Sequence, residues 1–219
     1  MAHMNQLDLK GDLYMYLREG LKSRLERMTG LGRPTLRQIN RRIRATNPKA
    51  LYFEDNNCIP NNPKLPFLHY RKVISLKKAA DAAALFEILF DANGWRDSWR
   101  NGIYDYAHYH PRTHEVLGIS RGKARVQFGG DKGKRINLTA GDVVVLPAGT
   151  GHQALKVSPD LVVVGAYPGS GHYDEYEPRA SHHTRALSMI PKVRLPAKDP
   201  IFGTRGPLKR LWRKRTKSK

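Results

Sequence analysis

The chain has 219 residues, 40% of them apolar, which is enough to form a hydrophobic core without disulfides or a structural metal. Its longest apolar runs have the length of strands, which excludes a membrane-spanning helix, and its first residues lack the apolar region of a secretory signal. The single cysteine, Cys58, excludes an intramolecular disulfide, so we expect a cytoplasmic protein.

The net charge of +20 is concentrated at the two ends of the chain. Residues 1–50 contain 11 basic and 4 acidic residues, and residues 203–219 contain 8 basic residues and no acidic one. The middle therefore has the charge of an ordinary globular domain. The predicted parts are a basic helical N-terminal extension (1–50), a barrel with a preceding arm and helix (51–170), a loop-rich segment (171–202) and a basic tail (203–219).

Helical periodicity is found before residue 91. Apolar residues at intervals of three and four predict one helix over residues 7–28, and a second, arginine-rich helix is predicted from Thr35 to the Asn47-Pro48 pair. The prolines and asparagines of residues 56–66 predict an extended arm laid over a surface. Residues 78–90 predict a further helix, which Asn93 and Gly94 would close.

After Gly102 the period changes from helical to two. Short segments rich in β-branched and aromatic residues alternate with turn pairs, which predicts an antiparallel barrel or jelly roll. No internal repeat is visible, so a single barrel is expected. Between Tyr173 and Pro200 no strong period is found. The predicted strands are 103–110, 115–119, 124–128, 136–138, 143–146, 152–157 and 161–167.

Three histidines and one glutamate occupy positions that these strands would bring together. His108 and His110 share one face of a predicted strand, Glu115 opens the next strand, and His152 opens a later one. Three neutral imidazoles and one carboxylate form a mixed nitrogen and oxygen site that suits Fe(II), Mn(II), Ni(II), Cu(II) or Zn(II). His114 is a competing ligand, but strand alternation turns it to the opposite face, so Glu115 is preferred.

The spacing of these residues resembles the two motifs of the cupin superfamily. The match extends over residues 51–170 and includes HYHPRTHE, which is similar to germin-like cupins. The stretches 52–66, 93–110 and 141–152 together resemble the uncharacterised bacterial cupins of the YjlB type. One departure is Lys156, where the second motif usually has asparagine. The first motif, GX5HXHX4EX6G, is matched by Gly102, His108, His110, Glu115 and Gly122, and the second, GX5PXGX2H, by Gly141, Pro147, Gly149 and His152.

The resemblance implies a mainly β protein with an RmlC-like, double-stranded β-helix (jelly-roll) barrel, preceded here by helices and followed by the basic tail. It also implies a divalent metal ion at the centre of the barrel. The implied ligands are His108, His110, Glu115 and His152.

Four further residues are candidates for substrate binding. Tyr104 and Tyr106 share the parity of His108, and Arg125 and Gln127 share one parity on a later strand. They would form a pocket wall in which Arg125 pairs with an anionic substrate. The alternative is that the tyrosines fill the core and Arg125 faces solvent, and the sequence does not decide between the two. Trp95 and Trp99 are placed either as a lid over the barrel or in its packing.

The resemblance favours a metal-dependent enzyme that acts on a small molecule, with oxidase or dioxygenase chemistry as the first expectation and Fe(II) or Mn(II) as the favoured ion. The alternatives are a non-catalytic cupin that binds a metal or ligand, and a cupin scaffold that binds nucleic acid or an anionic membrane surface through its basic ends. In the last case Trp212 would insert at the membrane interface, whereas a solvated tail would have no partner. A homodimer that pairs through the arm at 56–66 is also expected.

Overall fold

The computed structural model describes residues 33–169 and 173–213. The helix predicted over residues 7–28 lies outside these ranges, as do residues 214–219 of the basic tail. In chain order the elements are α1 (Leu36–Asn40), β1 (Lys49–Leu51), β2 (Phe67–Tyr70), α2 (Ala82–Ala92), β3 (Trp95–Asn101), β4 (Glu115–Arg121), β5 (Lys123–Phe128), β6 (Lys134–Thr139), β7 (Val143–Leu146), β8 (His152–Val157), β9 (Val162–Pro168), α3 (Ala180–Met189), a 3-10 turn (Ile190–Lys192) and α4 (Leu208–Leu211).

Two antiparallel sheets enclose the inner core, as the sequence predicts. A six-stranded sheet has the order β1-β2-β7-β4-β9-β3, and a three-stranded sheet has the order β6-β5-β8. Leu117 and Ile119 of β4 pack together with Val126 and Phe128 of β5 in one buried cluster. Because side chains alternate along a strand, Glu115 at the start of β4 points to this same inner side.

A second layer covers the outer face of the six-stranded sheet. Helix α2 is capped by Asp81, whose carboxylate accepts hydrogen bonds from the backbone N–H groups of the first turn, so it begins four residues later than predicted. It is closed at Asn93, as predicted. The helix lies so close to β4 that a Cβ on Gly118 would be 2.4 Å from the ring of Phe86. Glycine at this position therefore permits the packing of helix on sheet.

The predicted strands from β4 to β9 are confirmed, and β7 and β8 have the predicted bounds. The prediction of a strand over residues 103–110 is wrong, because this segment forms only isolated bridges at His108 and Tyr109. Strand β3, which the sequence did not indicate, pairs with β9 and contains the fully buried Trp95. Trp95 is therefore a core residue and not a lid.

Helix α1 is shorter than predicted. It ends at Asn40 because the chain then turns to pair with the segment before Leu76, where Ile43 bridges Ile74 and the Arg44 N–H donates to the carbonyl of Val73 at 2.8 Å. The arm at 56–66 does lie over a surface, as predicted, and that surface belongs to the same chain.

Buried asparagine side chains fix this arm. The Asn61 amide donates to the carbonyls of Glu54 at 2.7 Å and Gly129 at 3.2 Å, and the Asn62 amide donates to the carbonyl of Ala148 at 3.0 Å. Asparagine thus supplies the hydrogen bonds that a proline-rich segment cannot obtain from a strand ladder.

The C-terminal region is more ordered than the sequence suggests. The segment predicted to be loop-rich contains α3, and the first part of the basic tail folds into the outer core. Trp212 is 1% exposed, and its indole N–H donates to the carbonyl of Pro66 at 2.9 Å. The interpretations of Trp212 as a membrane anchor or as part of a solvated tail are therefore wrong. None of the helices in the described ranges is long and apolar enough to span a membrane.

Candidate metal centre

The four predicted ligands converge at one end of the inner core. His108, His110 and His152 are buried, and each offers a ring nitrogen that lies within 4.8 Å of the other two. Glu115 Oε2 lies 3.5 Å from Nε2 of His152 and 3.7 Å from Nε2 of His110. Separations of this order surround one point from which all four groups can reach a single ion after a small contraction.

Backbone contacts hold the histidines in place. His108 and His152 form a bridge in which each N–H donates to the carbonyl of the other, at 3.2 and 2.9 Å, so their ring centroids are 4.0 Å apart. The carbonyl of His110 accepts from the N–H of Gly149 at 2.8 Å. Gly149 has a φ of +90°, and a Cβ there would lie 2.7 Å from the carbonyl oxygen of Asn61, so glycine is required.

Each of the three imidazoles faces a backbone carbonyl through its Nδ1 atom. A carbonyl can only accept, so Nδ1 carries the proton and Nε2 keeps a lone pair for a ligand bond. Ring orientation and tautomer are thereby both set for metal binding. The carbonyl oxygens lie 3.2 Å (Tyr106), 2.7 Å (Asp174) and 3.3 Å (Thr150) from Nδ1 of His108, His110 and His152, respectively.

Glu115 is 2% exposed, and its Oε2 has no hydrogen-bond partner among the described residues. The hydroxyl of Tyr167 hydrogen-bonds the carboxylate and lowers the pKa of Glu115. That hydroxyl in turn accepts from the indole N–H of Trp99 at 3.1 Å. A buried carboxylate oxygen without a donor is costly unless a cation binds it, and Oε2 is the atom nearest to the histidines.

The protonation states of the four groups suit a cation site. Burial lowers the pKa of all three histidines, and repulsion from neighbouring imidazoles adds to this for His108 and His152. Burial also raises the pKa of Glu115 to about 7, although His108 and the hydrogen bond from Tyr167 lower it. A bound cation would reverse the cost of ionising the carboxylate, so metal binding and proton release are coupled.

His114, the competing ligand, points away from the centre, as strand alternation predicts. Its Nδ1 accepts from the N–H of Ala148 at 2.9 Å, and its ring lies 4.7 Å from that of Trp212 in the outer layer. Complete burial lowers the pKa of His114 to about 3. It is a neutral core histidine, so Glu115 remains the preferred fourth ligand.

Comparison with known proteins agrees with this geometry. The model of the Cupin domain family matches residues 100–164. YjlB of Bacillus subtilis (strain 168), an uncharacterised protein, is 41% identical over 164 residues, which is 75% of this chain and 96% of YjlB. The chain belongs to the cupin family.

Solved structures similar to this cupin come from several proteins. Procruciferin, the 11S globulin of Brassica napus, is 18% identical over 36% of this chain (TM-score 0.30), and this region spans only 21% of the globulin chain. A variant of oxalate decarboxylase from Bacillus subtilis is 24% identical over 54% of this chain and 29% of its own (TM-score 0.32). The WlaRB TDP-quinovose 3,4-ketoisomerase of Campylobacter jejuni is 13% identical over 41% and 75%, respectively (TM-score 0.35).

Two of the residues predicted to bind substrate face away from the centre of this cupin. On β5 the side chain of Phe128 is buried and stacks near His152, so the alternate residues Arg125 and Gln127 lie on the outer face. Arg125 is exposed, and the amide of Gln127 donates to the carbonyl of Gly130 at 2.6 Å. Of the two alternatives for Arg125, the structure therefore supports the one in which it faces solvent and not the pairing with an anionic substrate at the centre.

The two predicted tyrosines do lie beside the site. Tyr104 and Tyr106 stack on each other and contact the ring of His108, with centroids 5.3 and 5.5 Å from it. Sequence reasoning missed Tyr167 and Tyr173, which form a second stacked pair against His110. Alternation along β9 assigns Tyr167 to one face of the strand, but only the pairing of β9 with β4 brings it to Glu115.

Proposed function

We propose that this cupin is a metal-dependent enzyme that acts on a small molecule, with His108, His110, His152 and Glu115 as the metal ligands. The observation that supports it best is the buried Oε2 of Glu115, which lies between imidazole nitrogens and has no hydrogen-bond donor. Four protein ligands on an octahedral ion leave about two positions for substrate or dioxygen. A closed structural zinc site would leave none.

Fe(II) and Mn(II) are the ions we favour, because three imidazoles and one carboxylate provide the mixed ligand set that both accept. Ni(II), Cu(II) and Zn(II) share these ligands. The bound ion would act as a Lewis acid and as a template that orients the substrate. Oxidase or dioxygenase chemistry is the reaction type to test first.

Elemental analysis of protein purified without chelator tests the metal site. We expect close to one first-row metal ion per chain, and we expect the His110→Ala variant to lose most of it, because one of three imidazoles is removed. His182→Ala is the matched control, since His182 lies on α3 against Tyr176. Unchanged metal content in His110→Ala would contradict the ligand assignment.

Turnover is tested separately on the metal-loaded protein. Oxygen uptake with a panel of diketones, phenols and thiols should reveal oxidase or dioxygenase activity. A protein that holds its metal and turns over none of these compounds would support the alternative, a non-catalytic cupin that binds a metal or ligand.

The exposed basic residues support a second proposal, a nucleic-acid partner. Arg37, Arg41 and Arg44 are exposed in and after α1, whereas the burial of Trp212 argues against a membrane surface. Replacing the three arginines with alanine should weaken binding to labelled RNA and reduce its salt dependence. The control removes Lys132 and Lys134, and equal losses in both variants would indicate only non-specific attraction.

We also propose a cytoplasmic homodimer and retain the division of the chain at residues 50, 170 and 202. Because the arm at 56–66 packs on its own chain, its outer surface would have to form the dimer contact. Sedimentation equilibrium of the full chain tests this, and a monomer across the micromolar range would contradict the dimer.

A further inference from the structure

Three exposed tyrosines connect the buried metal ligands with solvent. Tyr104, Tyr106 and Tyr173 are 45%, 42% and 53% exposed, and each also contacts a ring of His108 or His110. These two histidines are only 4% and 6% exposed. A molecule that approaches the centre from this side must therefore pass over the three tyrosines, which we call the tyrosine rim.

The rim has an ordered arrangement. Tyr104 and Tyr106 are stacked, with ring centroids 4.9 Å apart and planes 15° apart, and Tyr173 stacks in the same manner on the half-buried Tyr167, at 4.7 Å and 15°. Tyrosine rings held in this way present fixed aromatic faces and edges to a ligand at little cost in side-chain entropy.

The charge beside the rim is negative, in contrast to the net charge of the chain. Glu175 accepts a hydrogen bond from the hydroxyl of Tyr106 at 2.7 Å through its Oε1 atom, and Glu175 is exposed. The ring of Tyr106, whose hydroxyl bonds this carboxylate, lies 5.5 Å from the ring of His108, so Glu175 lies at the edge of the site. Arg125, which one of the two alternatives placed in the pocket wall, lies on the outer face of β5.

We propose that the tyrosine rim and Glu175 bind an organic ammonium ion that carries a flat apolar group, and that this is the substrate class of the metal centre. The proposal rests on the proposed function, since it concerns the same site. The ammonium group would lie against a tyrosine face and pair with Glu175, and the flat group would pack on the stacked rings. In the metal-free protein the negative charge of Glu175 disfavours anions.

Three probes of similar size and different charge test the proposal: benzylamine, benzyl alcohol and benzoate. Binding is measured by isothermal titration calorimetry at pH 7.5 on protein stripped with chelator and on protein reloaded with Mn(II). We expect benzylamine to bind the stripped protein at least about tenfold more tightly than benzoate, with benzyl alcohol between them, because cation–π and ion-pair terms add for the cation alone. In the Mn(II) form benzylamine should still bind, whereas benzoate can also coordinate the ion through its carboxylate.

Variants locate the binding site. Glu175→Gln should weaken benzylamine binding about three- to tenfold and leave benzyl alcohol nearly unchanged, because only the cation uses the carboxylate. Tyr104→Leu should weaken the binding of both probes, since it removes an aromatic ring from the rim. Tyr52→Leu, at a tyrosine that is 61% exposed on another part of the chain, should change neither.

Two results would overturn the proposal: no binding of benzylamine to the stripped protein, or binding of benzoate to the stripped protein as tight as that of benzylamine. Equal affinity of benzylamine for Glu175→Gln and the wild type would also contradict it. Metal content is measured on the same samples, so a failure of the metal site is distinguished from a failure of the tyrosine rim. If the protein binds benzylamine selectively but cannot be loaded with metal, the rim remains an ammonium-binding site. That result would refute the proposed metal function.

Discussion

The hydroxyl of Tyr167 should determine how tightly the centre binds metal, although Tyr167 is not itself a ligand. It hydrogen-bonds the carboxylate of Glu115 and accepts from Trp99, and Oε2 is the carboxylate oxygen that lies beside the histidines. The Tyr167→Phe substitution removes this donor and keeps the ring that stacks on Tyr173. The substitution leaves all four candidate ligands in place and removes only the hydrogen bond to Glu115.

The size of the effect follows from the burial of Glu115. Because Glu115 is 2% exposed, water has little access to replace the lost donor. A hydrogen bond to a buried charged group contributes about 1.5–3 kcal/mol, which corresponds to a loss of about 10- to 100-fold in metal affinity. Supporting residues at other metal sites show effects of about the same size. Without the donor the pKa of Glu115 also rises further, so more of the carboxyl is protonated at neutral pH.

Titration of chelator-stripped protein with Mn(II) or Co(II) in a calorimeter measures this effect. Tyr109→Phe is the matched control, because Tyr109 is fully buried beside two ligands and its hydroxyl has no partner among the described residues. We expect its metal affinity to be unchanged and its stability to be equal or higher. Equal metal affinity for Tyr167→Phe and Tyr109→Phe would refute the role assigned to Tyr167.

Two further predictions concern stability. Burial opposes ionisation of Asp142, but hydrogen bonds from His69 and from the N–H groups of Lys72 and Thr139 lower its pKa. Its contribution is therefore present above the unfolded-state pKa of about 3.9 and is lost as pH falls through the lower folded-state value. Urea unfolding should show Asp142→Asn about 1–3 kcal/mol less stable at pH 7, with a difference that narrows below about pH 4; a constant difference would contradict the assignment. Trp212→Ala should cost about 3–5 kcal/mol by the same assay, because it empties a buried site, whereas Lys209→Ala on the exposed side of α4 should cost almost nothing.

The convergence of the four candidate ligands was predictable because two short-range rules apply to them. Alternation along a strand separates His114 from Glu115, and the spacing of HXH sets two imidazoles on one side even where the chain forms only isolated bridges. The hydrogen bonds between His108 and His152 provide the alignment that a full strand would have given.

The parts that sequence reasoning missed depend on contacts between distant residues. Strand β3 contains mostly charged and polar residues, so its sequence does not indicate a strand. Trp95 and Trp99 nevertheless pair with β9, and Gly165 leaves room for the indole of Trp99. The side of β5 that faces the core is fixed by Phe128 rather than by Arg125, and an alternating strand does not reveal which of its two faces is buried until its partner is known.

The C-terminal segment shows why charge was a poor guide to order. Asp199 is fully buried and accepts hydrogen bonds from the hydroxyl of Tyr70 at 2.7 Å and from the N–H of Leu208 at 3.2 Å, so one carboxylate ties this segment to β2 and to α4. Trp212 then packs on His114, the residue next to Glu115. Adjacent residues of a strand face opposite sides. His114 therefore contacts the C-terminal segment on one side of the sheet, while Glu115 faces the candidate metal centre on the other. The basic side chains are carried on a segment whose apolar residues support the strand that presents Glu115.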